Sequence, residues 1–311
     1  MIKEEFLKLL RRDYVRKLLY ALFITLFLIN ILPIQLNEST NEVHANGITT
    51  EKTIKNDILY HLSNYNSTFT LTYKGDYANV KGTIHNAMED IRKNNQYIYE
   101  NISKWQIAIK YRGNSGTLTF QINYLTDKVK EDYVKAEVKK ILPQIIKKGA
   151  TDFDKVKAVH DYIVLNSSYS NNTKGSQYST YTLLTENQGV CQAYALLMLK
   201  MLEELKLEAK YVKGYSNNER HAWILVKVDG AWYHVDPTWD DPINNDSDKV
   251  HYDYFMLSDK QIAATHSWEK TEYPVAQNEK SKNVQKTNKV DMIGFELLSF
   301  TRKFINYIEL H

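Results

Sequence analysis

Apolar and polar positions along this chain follow two periods, and the places where one period gives way to the other divide it. Residues 52–62 and 83–93 repeat apolar positions at helical spacing, whereas 69–74 alternates as a strand. Residues 105–111 and 117–125 alternate as paired strands around Arg112-Gly113-Asn114-Ser115-Gly116, a run of turn residues. Residues 127–148 read as a helix broken or kinked at Pro143 and closed by Gly149. Thr151-Asp152-Phe153-Asp154 then reads as a capping box opening the next helix. Residues 193–205 form an apolar run regular and long enough for a buried helix. Two strand-like runs, 221–228 and 231–239, flank Asp229-Gly230, a strong signal for a two-residue hairpin turn. This order of elements divides the chain into a small α/β module over 46–150 and a second domain over 151–276. A polar, basic linker at 280–289 leads to an amphipathic terminal helix carrying Ile293, Leu297, Phe300, Phe304 and Ile308, so 277–311 stands apart.

The hairpin turn sets a register. Val228 opposes Ala231, Trp223 opposes Asp236 and His221 opposes Thr238. One face then carries Ala222, Ile224, Val226, Val228, Ala231, Tyr233 and Val235, an apolar set fit for a core. The other carries His221, Trp223, Lys227, Trp232, His234 and Asp236. His221 and Asp236 become diagonal neighbours roughly 7–8 Å apart at the backbone, within reach of an imidazole–carboxylate hydrogen bond. A slip of one residue would place them on opposite faces. Upstream, Cys191, the sole cysteine of 311 residues, stands where a glycine-containing turn meets the buried helix. Unpaired N–H groups and the positive end of the dipole at a helix mouth favour a negative sulfur. Thiol, imidazole and carboxylate together are what a thiol hydrolase or acyltransferase uses: one attacks, one shuttles a proton, one orients the ring.

These residues resemble the transglutaminase-like superfamily in the form found in secreted bacterial proteins. The matching pieces are Val159-His160-Asp161-Tyr162-Ile163, Gly189 to Ala195, Gly214-Tyr215, His221-Ala222-Trp223 and Trp232 to Trp239, with looser similarity at Tyr254-Phe255 and His266-Ser267-Trp268. Gln192-Ala193 departs from the Gln-Gly of many relatives, and Leu205-Lys206-Leu207 lacks their glycine after the helix. The resemblance implies an α+β fold with a papain-related core, a central helix on an antiparallel sheet with the cysteine at its N-terminus. It also implies the triad Cys191, His221 and Asp236. One oxyanion donor is expected from the backbone N–H of Cys191, and the side-chain candidates for a second are Gln188 and Tyr181. The implied activity is acyl transfer through a cysteine thioester; the alternatives are an extracellular cysteine peptidase or amidase, or a non-catalytic surface scaffold that keeps the fold.

The N-terminus bears on location. Lys8, Arg11, Arg12, Arg16 and Lys17 precede an apolar stretch over 18–36, and Val43-His44-Ala45 supplies small residues for cleavage. Residues 1–45 therefore read as a secretory signal peptide, with an uncleaved anchor as the rival. Either reading puts the remainder outside the membrane, secreted or at the cell surface, with a membrane role only for that segment if it stays. The net charge of +3 carries no nucleic-acid footprint. A protein or peptide partner is expected, cell-surface or cell-wall material included. No cofactor or metal is expected: the histidines lack zinc spacing, and Asn244-Asn245-Asp246-Ser247-Asp248 lacks the glycine and distal glutamate of a calcium loop. His160 and His234 read as structural.

Overall fold

The computed structural model describes residues 47–241 and 250–278. The signal segment, the Asn244–Asp248 loop and the terminal helix expected above lie outside the described residues. The chain runs β1 (Ile48–Thr49), α1 (Ile54–Ser63), β2 (Thr68–Lys74), α2 (Tyr77–Asn94), α3 (Gln96–Glu100), β3 (Ile102–Arg112), β4 (Ser115–Tyr124) and α4 (Lys128–Ile145). It continues with α5 (Asp152–Asn166), β5 (Ser168–Tyr169), α6 (Thr180–Glu186), β6 (Gln188–Gly189), α7 (Cys191–Glu204), β7 (Ala209–Ser216), β8 (Glu219–Val228) and β9 (Ala231–Val235). β10 (Phe255–Leu257), α8 (Asp259–Ile262) and β11 (His266–Trp268) complete it. The α+β class implied by the resemblance is the one observed.

The first sheet has the order β1-β2-β4-β3. Strict alternation on β2 and β4 sends Phe69, Leu71, Tyr73, Leu118, Phe120 and Ile122 to one face, where they meet Ile54, Ile58 and Leu62 of α1 and Val80, Ile84, Met88 and Ile91 of α2. α2 starts six residues before the periodic run because the Asp76 side chain accepts from the Ala78 N–H at 3.0 Å and caps it. α4 continues through Pro143 to Ile145, two residues beyond the proposed break. So close to the end of a helix, the missing proline N–H costs a single ladder bond. The capping box at Thr151 and Asp154 forms as expected, with Asp154 N–H to Thr151 Oγ1 at 3.2 Å and Thr151 N–H to Asp154 Oδ2 at 3.0 Å.

The second sheet has the order β10-β9-β8-β7-β11. Asp229 and Gly230 both adopt positive φ, 49° and 83°, which is the mirror-type turn that matches strand twist. Val228 pairs with Ala231 and Ile224 with Val235, the anticipated register. α7 is apolar on every side, so it is buried on every side, with Ala193 to Leu199, Met201 and Leu202 all inaccessible. It packs on Ala222, Ile224, Val226 and Val228 of β8. The other sheet face closes over Val212, Trp223, Leu225, Leu257 and Ile262.

The two sheets belong to one compact unit. Val134, Val138, Ile141, Leu142 and Ile145 of α4 share the core of α5 and α7 rather than that of the first sheet, so the expected division at 150 falls inside a continuous core. α3, which the periodicity did not announce, joins the halves. The Gln96 amide donates to Tyr211 O at 3.1 Å and accepts from Tyr211 N–H at 2.9 Å, occupying part of the β7 edge.

Candidate active site

A short parallel pair, Ser168 with Gln188 and Tyr169 with Gly189, delivers the chain to the mouth of α7. Val190 is the extended N-cap and offers no side-chain acceptor, so the helix opens at Cys191 with its first N–H groups free of a capping side chain. His221 lies in the third position of β8, opposite Gly214 of β7. Asp236 follows β9 directly, its backbone N–H bound to Tyr254 O at 3.0 Å. The Asp236 Oδ1 accepts from Thr238 and Trp239 N–H at 3.0 and 3.3 Å, which turns the other oxygen toward the β8 ring.

That oxygen, Oδ2, meets His221 Nε2 at 2.6 Å. The thiol of Cys191 is within hydrogen-bonding reach of the same imidazole. Because an ionised carboxylate only accepts, His221 Nε2 carries the proton of that bond, leaving Nδ1 to exchange protons with the sulfur. Burial by itself would push the His221 pKa down. The charge and hydrogen bond of Asp236, reinforced by the sulfur, override it and raise the value to about 10. Asp236 is fully buried, which would raise its pKa, yet His221 and His266 hold it at about 2. Trp223 stacks by His221 at 5.9 Å and Trp239 presents an edge at 6.4 Å, giving the ion pair low-dielectric walls.

Cys191 and His221 line one cleft of about 1130 Å³. Its walls include Tyr169, Tyr178, Tyr211 and Trp268, together with Glu100 and Ser103 from the N-terminal half. Neither Gln188 nor Tyr181 is among the lining residues. Gln188 is a half-buried strand residue, and Tyr181 sets its ring edge-on to Tyr133 at 5.3 Å. Tyr169 and Tyr211 line the cleft with Cys191; burial pushes both phenols' pKa values up, and the charge on Cys191 adds to that.

With the geometry in place, comparison with known proteins becomes informative. Residues 139–237, which contain all three groups, match the family model described as the transglutaminase-like superfamily. Over those residues the chain is similar to that superfamily. A 155-residue segment is 25% identical to the uncharacterized protein YebA of Bacillus subtilis (strain 168), over 42% of this chain and 21% of that one. An 84-residue segment is 33% identical to the uncharacterized protein ML0607 of Mycobacterium leprae (strain TN), over 23% of this chain and 30% of that one. The chain thus spans under a third of either relative. Among solved structures, a candidate cysteine protease from Cytophaga hutchinsonii aligns with a TM-score of 0.31 and 18% identity, over 46% of this chain and 68% of that one. A TGase aligns with 0.30 and 15%, over 62% and 59%. At those scores the alignments carry no argument about chemistry.

Several features of this transglutaminase-like site escaped the pattern reading. His266 Nε2 lies 3.0 Å from Asp236 Oδ2, so two imidazoles share one carboxylate oxygen. The signal for it was the three-residue His266-Ser267-Trp268 run, which alternates like a strand but is too short to place without β7 beside it. The wall supplied by the N-terminal half had no local signal. His221, Asp236 and His266 offer ligand atoms within 4.8 Å of one another, the grouping among the described residues able to hold a cation. Both imidazoles lie at hydrogen-bond distance from Asp236, which satisfies the carboxylate oxygen between them. His160 is buried between Asp161 and Asp240, at 3.1 and 3.0 Å, and ties α5 to the loop after Asp236. His234 accepts from Trp223 Nε1 at 2.9 Å and bonds Asp259 at 2.8 Å.

Proposed function

We propose that this protein is a thiol enzyme of transglutaminase-like type that acts outside the cell membrane on protein or peptide carboxamides, cell-surface or cell-wall material among them. The observation that carries the reading is the His221 ring, bound through one nitrogen to Asp236 and in reach of the Cys191 sulfur, inside a cleft large enough for a side chain or peptide segment. Cys191 attacks the carbonyl carbon, forming a C–S bond, while its proton resides on His221. The backbone N–H of Cys191 at the helix mouth stabilises the negative oxygen, and of the phenols the cleft-lining Tyr169 is the candidate second donor, since neither Gln188 nor Tyr181 lines the cleft. The C–N bond breaks as His221 returns the proton to the leaving amine. An incoming amine or water then gives a proton to His221 and displaces the sulfur.

Hydrolysis is the second reading, favoured by one observation: Tyr169, Tyr178 and Tyr215 at the cleft are exposed, so water reaches the thioester. Export rests on the basic and apolar N-terminal segment alone. The deciding experiment incubates the protein with a labelled amine and a glutamine-rich protein. Incorporation lost in Cys191→Ala by at least about a thousandfold supports transfer. Peptide or amide cleavage without incorporation supports the peptidase reading. Neither product from folded protein leaves the scaffold.

A further inference from the structure

Among the described residues, Asp236 is the most heavily committed carboxylate. It is inaccessible to solvent and receives four hydrogen bonds, two backbone N–H groups on Oδ1 and two imidazoles on Oδ2. The triad needs only one of those imidazoles. The other, His266, is 3% exposed and sits on a strand of three residues whose pairing places it beside the carboxylate: His266 opposes Ser216 and Trp268 opposes Gly214. Trp268 packs edge-on against Trp223 and His234, which locks the strand from the same side.

The protons are determined by the partners. The Asp236 carboxylate accepts only, so His266 must donate from Nε2. Its Nδ1 lies 2.8 Å from Thr265 Oγ1, and in the neutral ring Nδ1 accepts from that hydroxyl. The hydroxyl thus selects the tautomer that donates to Asp236. The ring is therefore an oriented donor to Asp236 whose second nitrogen also has a partner.

Resting on the triad reading above, we infer that His266 is a positioning residue: its Nε2–H fixes the carboxylate oxygen that orients His221, and shares that oxygen's charge between two rings. Without it, Oδ2 loses one donor and one lateral constraint. The carboxylate keeps its backbone bonds but swings about them, and His221 no longer holds one angle toward the sulfur. The consequence falls on the proton-transfer steps rather than on substrate binding, because His266 does not line the cleft.

The test compares His266→Ala, His266→Gln and Thr265→Val with the parent chain. Two readouts are taken: turnover in the amine-incorporation or amide-cleavage assay, and the pH profile of Cys191 alkylation by iodoacetamide, which needs no substrate. His266→Ala is expected to lower kcat about tenfold with KM within about twofold, the loss of one hydrogen bond to a charged group. It is also expected to displace the alkylation profile along the pH axis. His266→Gln, whose amide N–H replaces Nε2–H, restores most of both. Thr265→Val, which keeps the ring and folds more securely, moves both in the same direction by less. Losses in Ala and Gln that merely follow the folded fraction, with unshifted profiles in all three variants, would overturn the inference. If no variant or parent turns over any amide but the alkylation shift and its rescue persist, the positioning role stands and the proposed reaction falls.

Discussion

At the residue scale, the chemistry is concentrated in one buried contact whose pH behaviour follows from its two partners. Asp236 is held at about 2, below the ordinary value of about 3.9, so its contribution to stability is present above pH 4 and lost as pH falls toward 2. His221 is raised to about 10 from about 6.5, so its contribution is full below pH 6.5 and lost as pH rises through 10. Melting temperature plotted against pH is expected to form a plateau bounded by those two windows. Asp236→Asn removes the shared interaction, so both shoulders should flatten and the plateau should drop; unchanged shoulders would show that other groups govern them. The triad was legible in the sequence because each member sits in a local signal: a glycine turn before an apolar helix, and a hairpin whose Asp-Gly turn sets register. His266 was not, because its role arises from a partner thirty residues away in the chain.

Among the elements, the approach of β7, β8 and β11 decides whether the His221 ring, the carboxylate and the second imidazole converge. Gly214 permits it. A Cβ there would lie 2.1 Å from the Ser267 carbonyl oxygen and 2.7 Å from the Trp223 ring, backbone on one side and a fully buried indole on the other. Gly214→Ala is expected to cost more than about 2 kcal/mol in urea unfolding, since neither neighbour can yield cheaply. It should also lower turnover by moving β11. A variant as stable as the parent would mean that the strand shifts freely. The hairpin register was readable because alternation and turn type agree. The start of α2 and the existence of α3 were not, because a cap and a five-residue helix leave too weak a periodic trace.

For the molecule as a whole, the N-terminal half is more than a neighbour. Glu100 and Ser103 line the cleft, Gln192 Nε2 donates to Glu100 O at 2.9 Å beside the nucleophile, and Lys213 pairs with Glu100 at 2.7 Å. Gln96 satisfies both backbone groups of Tyr211. Gln96→Ala is expected to cost roughly 1–3 kcal/mol by leaving those groups short of partners. Unfolding should remain a single transition, because α4 of the N-terminal half packs into the core of α5 and α7 while Gln96 and Glu100 bind β7 and α7. Two separated transitions in calorimetry would contradict that view.

What the sequence determined by itself was every feature encoded over short range: the helix mouth at Cys191, the hairpin faces, the caps and the family motifs. Local backbone chemistry and alternation suffice for these. Only the tertiary structure decided which donors surround Asp236, which aromatic rings line the cleft with the sulfur, and that residues from both halves form that cleft. Those depend on contacts between segments far apart in the chain, and such contacts are chosen by packing, not by period.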